Sequence, residues 1–311
     1  MGDYIAVVGG MNVDIGGRPG RRLVLKDSNP GRVSIRPGGV GRNIAHDLRL
    51  LGMEVRMLSA VGDDEHGALL LRSCAACGID TSLCLRAEGE SSSTYLYITD
   101  EHGDMQLAVA DMDVTARITP AVIAARLDAL NAARAVVVDA NLEAETLEYL
   151  AAHVTAPLYA DPVSTGKAGR MRRILPRLAC IKPNALEAEA LTGEAEPEKA
   201  ARALLTAGVR RVFLSLGAQG MLAAEGEKLI SLPCEQARVL NTTGAGDAVT
   251  AALVWAGVRG LDLEQSLHFA LRAGAVTTEC MEANNPELAN LPAQFGRKQM
   301  NIKNGSPQSC L

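Results

Sequence analysis

Aromatic side chains are scarce in this 311-residue sequence, at 3%, with a single tryptophan. So few rings leave stacking platforms for single-stranded nucleic acid scarce. Basic excess is also missing: 31 Lys and Arg stand against 36 Asp and Glu, for a net charge of −5 and a pI near 5.6. That balance argues against a general nucleic-acid or anionic-membrane surface. No apolar run approaches the roughly 18–20 residues that span a bilayer. The apolar stretch at Ile5–Val8 is short and lacks the basic leader of a secretory signal. Seven cysteines, an odd number in a long chain, suit reduced thiols and a cytoplasmic setting better than a disulfide framework. Cys74, Cys77 and Cys84 lack a fourth ligand at a zinc spacing and read as packed thiols. Cys310, second from the end, misses the prenylation position.

What is present is ordinary for a globular chain: 48% hydrophobic, 22% charged, mean hydropathy +0.08. Buried-strand candidates are Tyr4–Val8, Met57–Val61, Ala135–Asp139, Pro157–Asp161, Ala179–Ile181 and Val212–Leu216. Helical patterns fall between them at Asn43–Leu51, Ala68–Cys77, Ala121–Leu130, Glu143–His153, Leu186–Thr192 and Glu198–Ala207. Alternation of this kind predicts an α/β fold, a doubly wound, mostly parallel sheet flanked by helices. Two segments break it. Residues 15–36 are rich in turn formers around Asp27-Ser28-Asn29-Pro30-Gly31, and 91–111 read as a hairpin, Thr94–Thr99 and Met105–Val109. Together they predict a small β-sheet lid over a cleft within a domain of residues 1–295, followed by a polar tail at 296–311.

Chemistry concentrates at the expected strand ends and helix starts. Asn241-Thr242-Thr243-Gly244-Ala245-Gly246-Asp247 opens an apolar helix. Small residues there leave amides uncovered at the positive end of a helix dipole, which is an anion site. Asp247 beside it is poorly chosen for binding an anion and well chosen for removing a proton from a hydroxyl that attacks one. Phosphoryl transfer to an alcohol follows. Asn12 and Asp14, two apart after the first strand, point the same way and suit either sugar hydroxyls or a capped turn. Gly38-Gly39-Val40-Gly41-Arg42-Asn43 does not follow the opening strand, so it is no dinucleotide fingerprint; it suits either a close-approaching ligand ring held by the Asn43 amide or a plain turn. Lys182-Pro183-Asn184-Ala185-Leu186-Glu187 reads either as a helix capping box or as a magnesium and phosphate site. Ser215-Leu216-Gly217-Ala218-Gln219-Gly220 fits a nucleotide path or a tight turn.

In this order, Gly38-Gly39-x-Gly41-x-Asn43-x-Ala45, Asn184-x-x-Glu187 and Thr243-Gly244-Ala245-Gly246-Asp247 resemble the ribokinase-like (PfkB) carbohydrate and nucleoside kinase family, from about Tyr4 to Leu291. Asp27–Gly31, Asp161-Pro162-Val163-Ser164, Asn241 and Asn284-Asn285-Pro286 add a resemblance to members acting on pseudouridine. The resemblance implies ATP and Mg²⁺, with Asp247 as base and the Gly244, Ala245 and Gly246 amides as anion hole. Lys182, Asn184, Ser215, Gly217, Gly220 and Thr243 would line the nucleotide, and Glu187 with Asn184 would hold magnesium through water. Asn12, Asp14, Gly38, Gly39 and Asn43 would bind the ribose, while Asn29, Thr94 and Asp111 would read the base. Relatives carry an acid where this chain has Asn241, which removes a formal charge from the monovalent-cation (K⁺) site that the resemblance implies. It further implies a homodimer paired through the lid. Ribose, uridine or a purine nucleoside are the competing acceptors, and a kinase-like binding protein without turnover is the competing class.

Overall fold

The computed structural model describes residues 2–296, so the polar tail lies outside them apart from Gly296. Fourteen strands are present among these: β1 (Tyr4–Val8), β2 (Asn12–Pro19), β3 (Gly31–Gly38), β4 (Glu54–Leu58), β5 (Ala60–Gly62), β6 (Leu85–Ala87), β7 (Thr94–Thr99), β8 (Met105–Asp111), β9 (Ala135–Asp139), β10 (Leu158–Asp161), β11 (Leu178–Ile181), β12 (Arg211–Ser215), β13 (Met221–Glu225) and β14 (Lys228–Leu232). Eight of them form one sheet in the order β14-β13-β12-β11-β10-β9-β1-β4, parallel from β12 to β4 and antiparallel at the β13–β14 edge. Chain order reverses between β1 and β9, and ligands of such sheets gather at that crevice beyond the strand carboxyl ends.

β1 and β9 are buried throughout, as their unbroken apolar runs require when helices cover both faces. Ile5 and Val7 point to one core, shared with the helices Val40–Leu50, Ala245–Val258 and Leu263–Thr278. Ala6 and Val8 point to the other, under Ala144–His153, Ala185–Thr192 and Pro197–Thr206. Two expected elements divide. The strand read at Met57–Val61 ends at Leu58; Ser59 turns the chain, accepts from the Leu85 amide at 2.8 Å, and β5 leaves to pair with β6. The helix read at Ala121–Leu130 is two short ones, Pro120–Ala124 and Leu127–Ala132, broken at Arg126, whose guanidinium donates to the Leu83 carbonyl at 2.7 Å. Among the described residues no helix is long and apolar enough to cross a membrane.

The small sheet is separate, in the order β3-β2-β7-β8, with β2 parallel to β7. Its register aligns Ile35, Ile15, Leu96 and Val109 in one row and Val33, Gly17, Ile98 and Leu107 in the next. Side chains at matched register share a face, so this face is apolar across all four strands. It is also open: Val33 is 73% and Leu107 63% exposed.

In the main core Phe269 stacks on Trp255 at 4.2 Å between centroids and meets Phe295 edge-on at 5.2 Å. Phe269 is almost wholly buried, so Phe269→Ala opens a cavity and should destabilise the fold by about 3–5 kcal/mol in chemical denaturation. A loss below about 1 kcal/mol would contradict this packing.

Candidate active site

The helix Ala245–Val258 starts at Gly244, whose φ of +81° is left-handed and whose missing Cβ makes room for the Ala283 carbonyl. Asn241 shapes the preceding loop: its Oδ1 accepts from the Thr243 amide at 3.0 Å and its Nδ2 donates to the Met281 carbonyl at 3.0 Å. The Ala245 amide turns back to the Thr242 carbonyl at 3.3 Å. Those of Gly246 and Asp247 have no partner among the described residues and stand free at the dipole's positive end. Of the three amides expected to form an anion hole, Ala245 is thus the one already engaged.

Asp247 is half-buried, and Asn43 Nδ2 donates to its Oδ2 at 2.9 Å. Burial pushes the Asp247 carboxyl up to about 7, with the Asp161 carboxylate adding to the rise and the Asn43 bond and the Lys182 charge opposing it. A carboxyl poised near neutrality is suited to proton transfer. Lys182 lies behind it, buried, with Nζ 3.1 Å from Asp161 Oδ2. A Cβ at Gly246 would stand 3.0 Å from the same Nζ, so the glycine lets the ammonium reach the loop. Burial works against the Lys182 charge, but Asp161, Glu187 and Asp247 more than offset it and hold its affinity for the proton above normal.

On the other flank, Gly39 (φ +98°) crosses the β1–β2 loop so closely that a Cβ there would stand 2.6 Å from Met11 Cα and 2.8 Å from Gly10 O. Backbone crossing, then, is what requires this glycine. It brings Asn43 and Arg42 to the strand ends; the Arg42 amide donates to Gly10 O at 3.2 Å. Asn12 Nδ2 donates to Asp14 Oδ1 at 2.6 Å, and a Cβ at Gly38 would overlap the Asp14 carboxylate. Burial raises the Asp14 carboxyl, and Asn12 and Arg42 oppose the rise. Asn12, Asp14, Gly38, Gly39, Asn43 and Asp247 are therefore brought together around the β1 terminus. Thr94 and Asp111 are not. They pair with Val13 and with each other, so they share the face opposite Asp14, and Thr94 Oγ1 lies 3.2 Å from His66 Nδ1. Asn29 spends its side chain on its own loop, exchanging hydrogen bonds of 2.8 Å with both backbone groups of Val24.

At the far end Asn184 and Glu187 form the capping box, each side chain bonded to the other's amide at 2.9 Å. Glu187 is buried and its carboxyl is raised by that burial. Asn184 is bridged to Ser215, whose amide donates to the Pro183 carbonyl at 2.9 Å, so β11 and β12 deliver these residues side by side. Gly217 (φ +59°) faces open space, whereas Gly220 is needed where its chain passes Leu232. Thr243 is exposed at the lip of the helix start.

Asp161, Thr250, Asp139 and Asn284 escaped the sequence reading as site members. Asp161 holds Lys182 and accepts from Thr250 Oγ1 at 2.8 Å. Asp139 ends β9, accepts from the Gly10 and Asn141 amides at 2.9 Å each, and is raised by burial to about 6. A carboxylate closing an otherwise apolar strand was the available signal for both. Asn284 donates to Asn43 O at 3.1 Å and to buried Asp47 at 2.8 Å, and accepts from Arg42 at 2.8 Å. Asn284-Asn285-Pro286 carried part of the resemblance, but nothing local gave Asn284 a place at the site.

Comparison with known proteins gives the family and the fold. The family described as pfkB family carbohydrate kinase matches residues 3–290. A pseudouridine kinase of Escherichia coli K12 is 37% identical, over 92% of this chain and 94% of its own length. A protein of the same strain described as an uncharacterized sugar kinase is 35% identical, over 92% and 81% respectively. Among solved structures, Arabidopsis thaliana ribokinase complexed with ribose and ATP superposes with a TM-score of 0.84 at 23% identity, covering 94% of this chain and 99% of that one. Fold is what this last likeness shows.

The Asp247 carboxyl should titrate near pH 7 in the free protein, read by carboxyl carbon NMR. Asn43→Ala removes a bond that favours the charged form, so it should move that midpoint upward. An ordinary carboxylate midpoint near 4 in the unsubstituted protein would refute the environment described.

Proposed function

The chain belongs to the pfkB family of carbohydrate kinases, and from that premise we propose that it transfers the γ-phosphoryl group of ATP to the 5′-hydroxyl of pseudouridine. The observation that carries the transfer chemistry is the half-buried Asp247, raised to about 7, beside the unpaired Gly246 and Asp247 amides. Asp247 accepts the hydroxyl proton as the oxygen attacks phosphorus. The free amides of Gly246 and Asp247, the helix dipole and Lys182 take up charge on the transferring group. Asn12, Asp14 and Asn43 hold the ribose. Ser215, Gly217 and Thr243 border the nucleotide, and the small sheet closes as a lid that excludes water. The pseudouridine assignment rests on the resemblance of the whole chain to a pseudouridine kinase.

Among the described residues no three His, Cys, Asp or Glu side chains cluster as a direct metal cage. Asn184 Oδ1 and one Glu187 oxygen are engaged in the cap, which leaves the second Glu187 oxygen for a metal-bound water. Such a donor set fits Mg²⁺, which keeps its waters and takes other ligands from phosphate; when bound it would neutralise charge on ATP. Asn241 already joins the two sides of its loop through Thr243 and Met281, so we read the K⁺ dependence as weak. We place the enzyme in the cytoplasm, where ATP and reduced thiols coexist.

An ADP-release assay with ATP and Mg²⁺ tests the reading across pseudouridine, uridine, purine nucleosides and ribose, in K⁺ and in choline buffer. Pseudouridine should give the highest kcat/KM, and Asp247→Asn should lower turnover about 10²–10⁴-fold. Equal efficiency on uridine would remove the acceptor assignment, and near-normal turnover of the variant would remove the base.

We also propose a homodimer through the open apolar face of the small sheet. A face of that width is covered when two copies meet about a two-fold axis. Light scattering should give twice the 32.7 kDa chain mass, and Val33→Asp with Leu107→Asp should return it to one chain. A monomeric unsubstituted protein at micromolar concentration would refute this.

A further inference from the structure

The loop after β10 carries a strained residue and an ammonium that the site above does not use. Val163 has a φ of +66°, in the left-handed region that a β-branched residue almost never enters. Asp161 Oδ1 pins it by accepting from its amide at 2.9 Å, and the Ser164 amide bonds to the Pro162 carbonyl at 2.7 Å. Strain of this kind persists where the surroundings over-determine it, and it concentrates at ligand sites. The kink leads directly into a single helical turn, Thr165–Ala168.

Lys167 on that turn is half-buried, and its Nζ donates to Asn141 Oδ1 at 2.7 Å. Among the described residues Nζ has no other hydrogen bond and no salt bridge, so an ammonium with three protons satisfies one. Asn141 stands two residues beyond Asp139, and a Cβ at Gly10 would lie 2.6 Å from its Nδ2. Gly10 in turn accepts from the Arg42 amide and bonds Asp139, at the β1–β9 crevice where Asn12 and Asp14 begin. Arg170 ties the same turn down by donating to the carbonyls of Ala140, Asn141 and Leu142 at 3.1–3.3 Å. Burial lowers the hold of Lys167 on its proton, while the Asp139 charge works to restore it.

We propose that Lys167, presented by Asn141, is a binding residue for the acceptor and donates its remaining protons to neutral oxygens of that molecule. This rests on the kinase reading. Ring hydroxyls and base carbonyls offer the same acceptor chemistry. Nothing in the transfer step needs a cation here, so the contribution is to affinity and specificity. Asp161 couples the two functions through the backbone, with Oδ2 on Lys182 at the phosphate end and Oδ1 on Val163 at the start of the Lys167 turn.

The test is Lys167→Met, which keeps the aliphatic stem, in the ADP-release assay, with thermal melting as the control for folding. A lost hydrogen bond to a charged group should raise the acceptor KM about 10- to 100-fold, with kcat and the KM for ATP changed less than about two-fold. A loss confined to nucleosides, with free ribose competing as before, assigns the contact to base carbonyls; an equal loss for both assigns it to ring hydroxyls. An unchanged acceptor KM, or a rise shared by ATP, overturns the assignment while the kinase reading stands. An unsubstituted protein that turns over no acceptor refutes the kinase reading and this assignment with it.

Discussion

A 2.9 Å hydrogen bond from Asn43 to Asp247 joins two helix starts separated by 204 residues, and the site's geometry depends on it. Each helix start reaches the bond because a left-handed glycine precedes it, Gly39 against the Met11 backbone and Gly244 against Ala283. The segment 281–285 braces both. Met281 receives the Asn241 amide, Ala283 packs on Gly244, and Asn284 bonds Asn43, Asp47 and Arg42. Moving either helix start would leave several buried polar groups without partners, at about 1–3 kcal/mol each.

Carboxylates dominate the floor of this site. Asp139, Asp161, Asp247 and Glu187 lie at strand ends or helix starts, with Lys182 the cation held among the last three. Withdrawing so many acids from water costs stability, and the cost appears as carboxyls raised toward neutrality at Asp139 and Asp247. Asp47 is an extreme case: fully buried, one oxygen without a partner, and pushed well above the carboxylate range chiefly by that burial. Natural folds tolerate such expense where it supports chemistry. The same low-dielectric surroundings would strengthen every contact made to phosphate in the proposed transfer.

Much of the architecture was legible from residue patterns. Tyr4–Val8 and the Ala135–Val138 stretch of β9 are unbroken apolar runs because both sheet faces are covered, and the strand bounds follow the runs to within a residue. The Asn184–Glu187 box was legible because its two bonds join residues three apart. Its magnesium alternative needs the same atoms, so the cap restricts which oxygens remain. The β14 strand was not anticipated, since Lys228–Leu232 is half exposed and alternates too weakly. Asp161, Thr250 and Asn284 escaped as site members because their decisive partners lie 89 and 241 residues away.

The sequence by itself determined the alternating α/β order, the glycine-marked helix starts, the local cap and the pairing of a small-residue turn with a carboxylate. Each is set within a few residues by backbone freedom, side-chain reach and periodicity. Tertiary structure alone decided that Thr94 and Asp111 stand on the opposite sheet face from Asp14, because facing is a matter of register between strands. It also decided that Asn29 and Asn241 spend their side chains on neighbouring backbone, and that Asp247 holds its proton to about pH 7. Proton affinity depends on burial and on charges delivered by distant strands, and no stretch of chain encodes those locally.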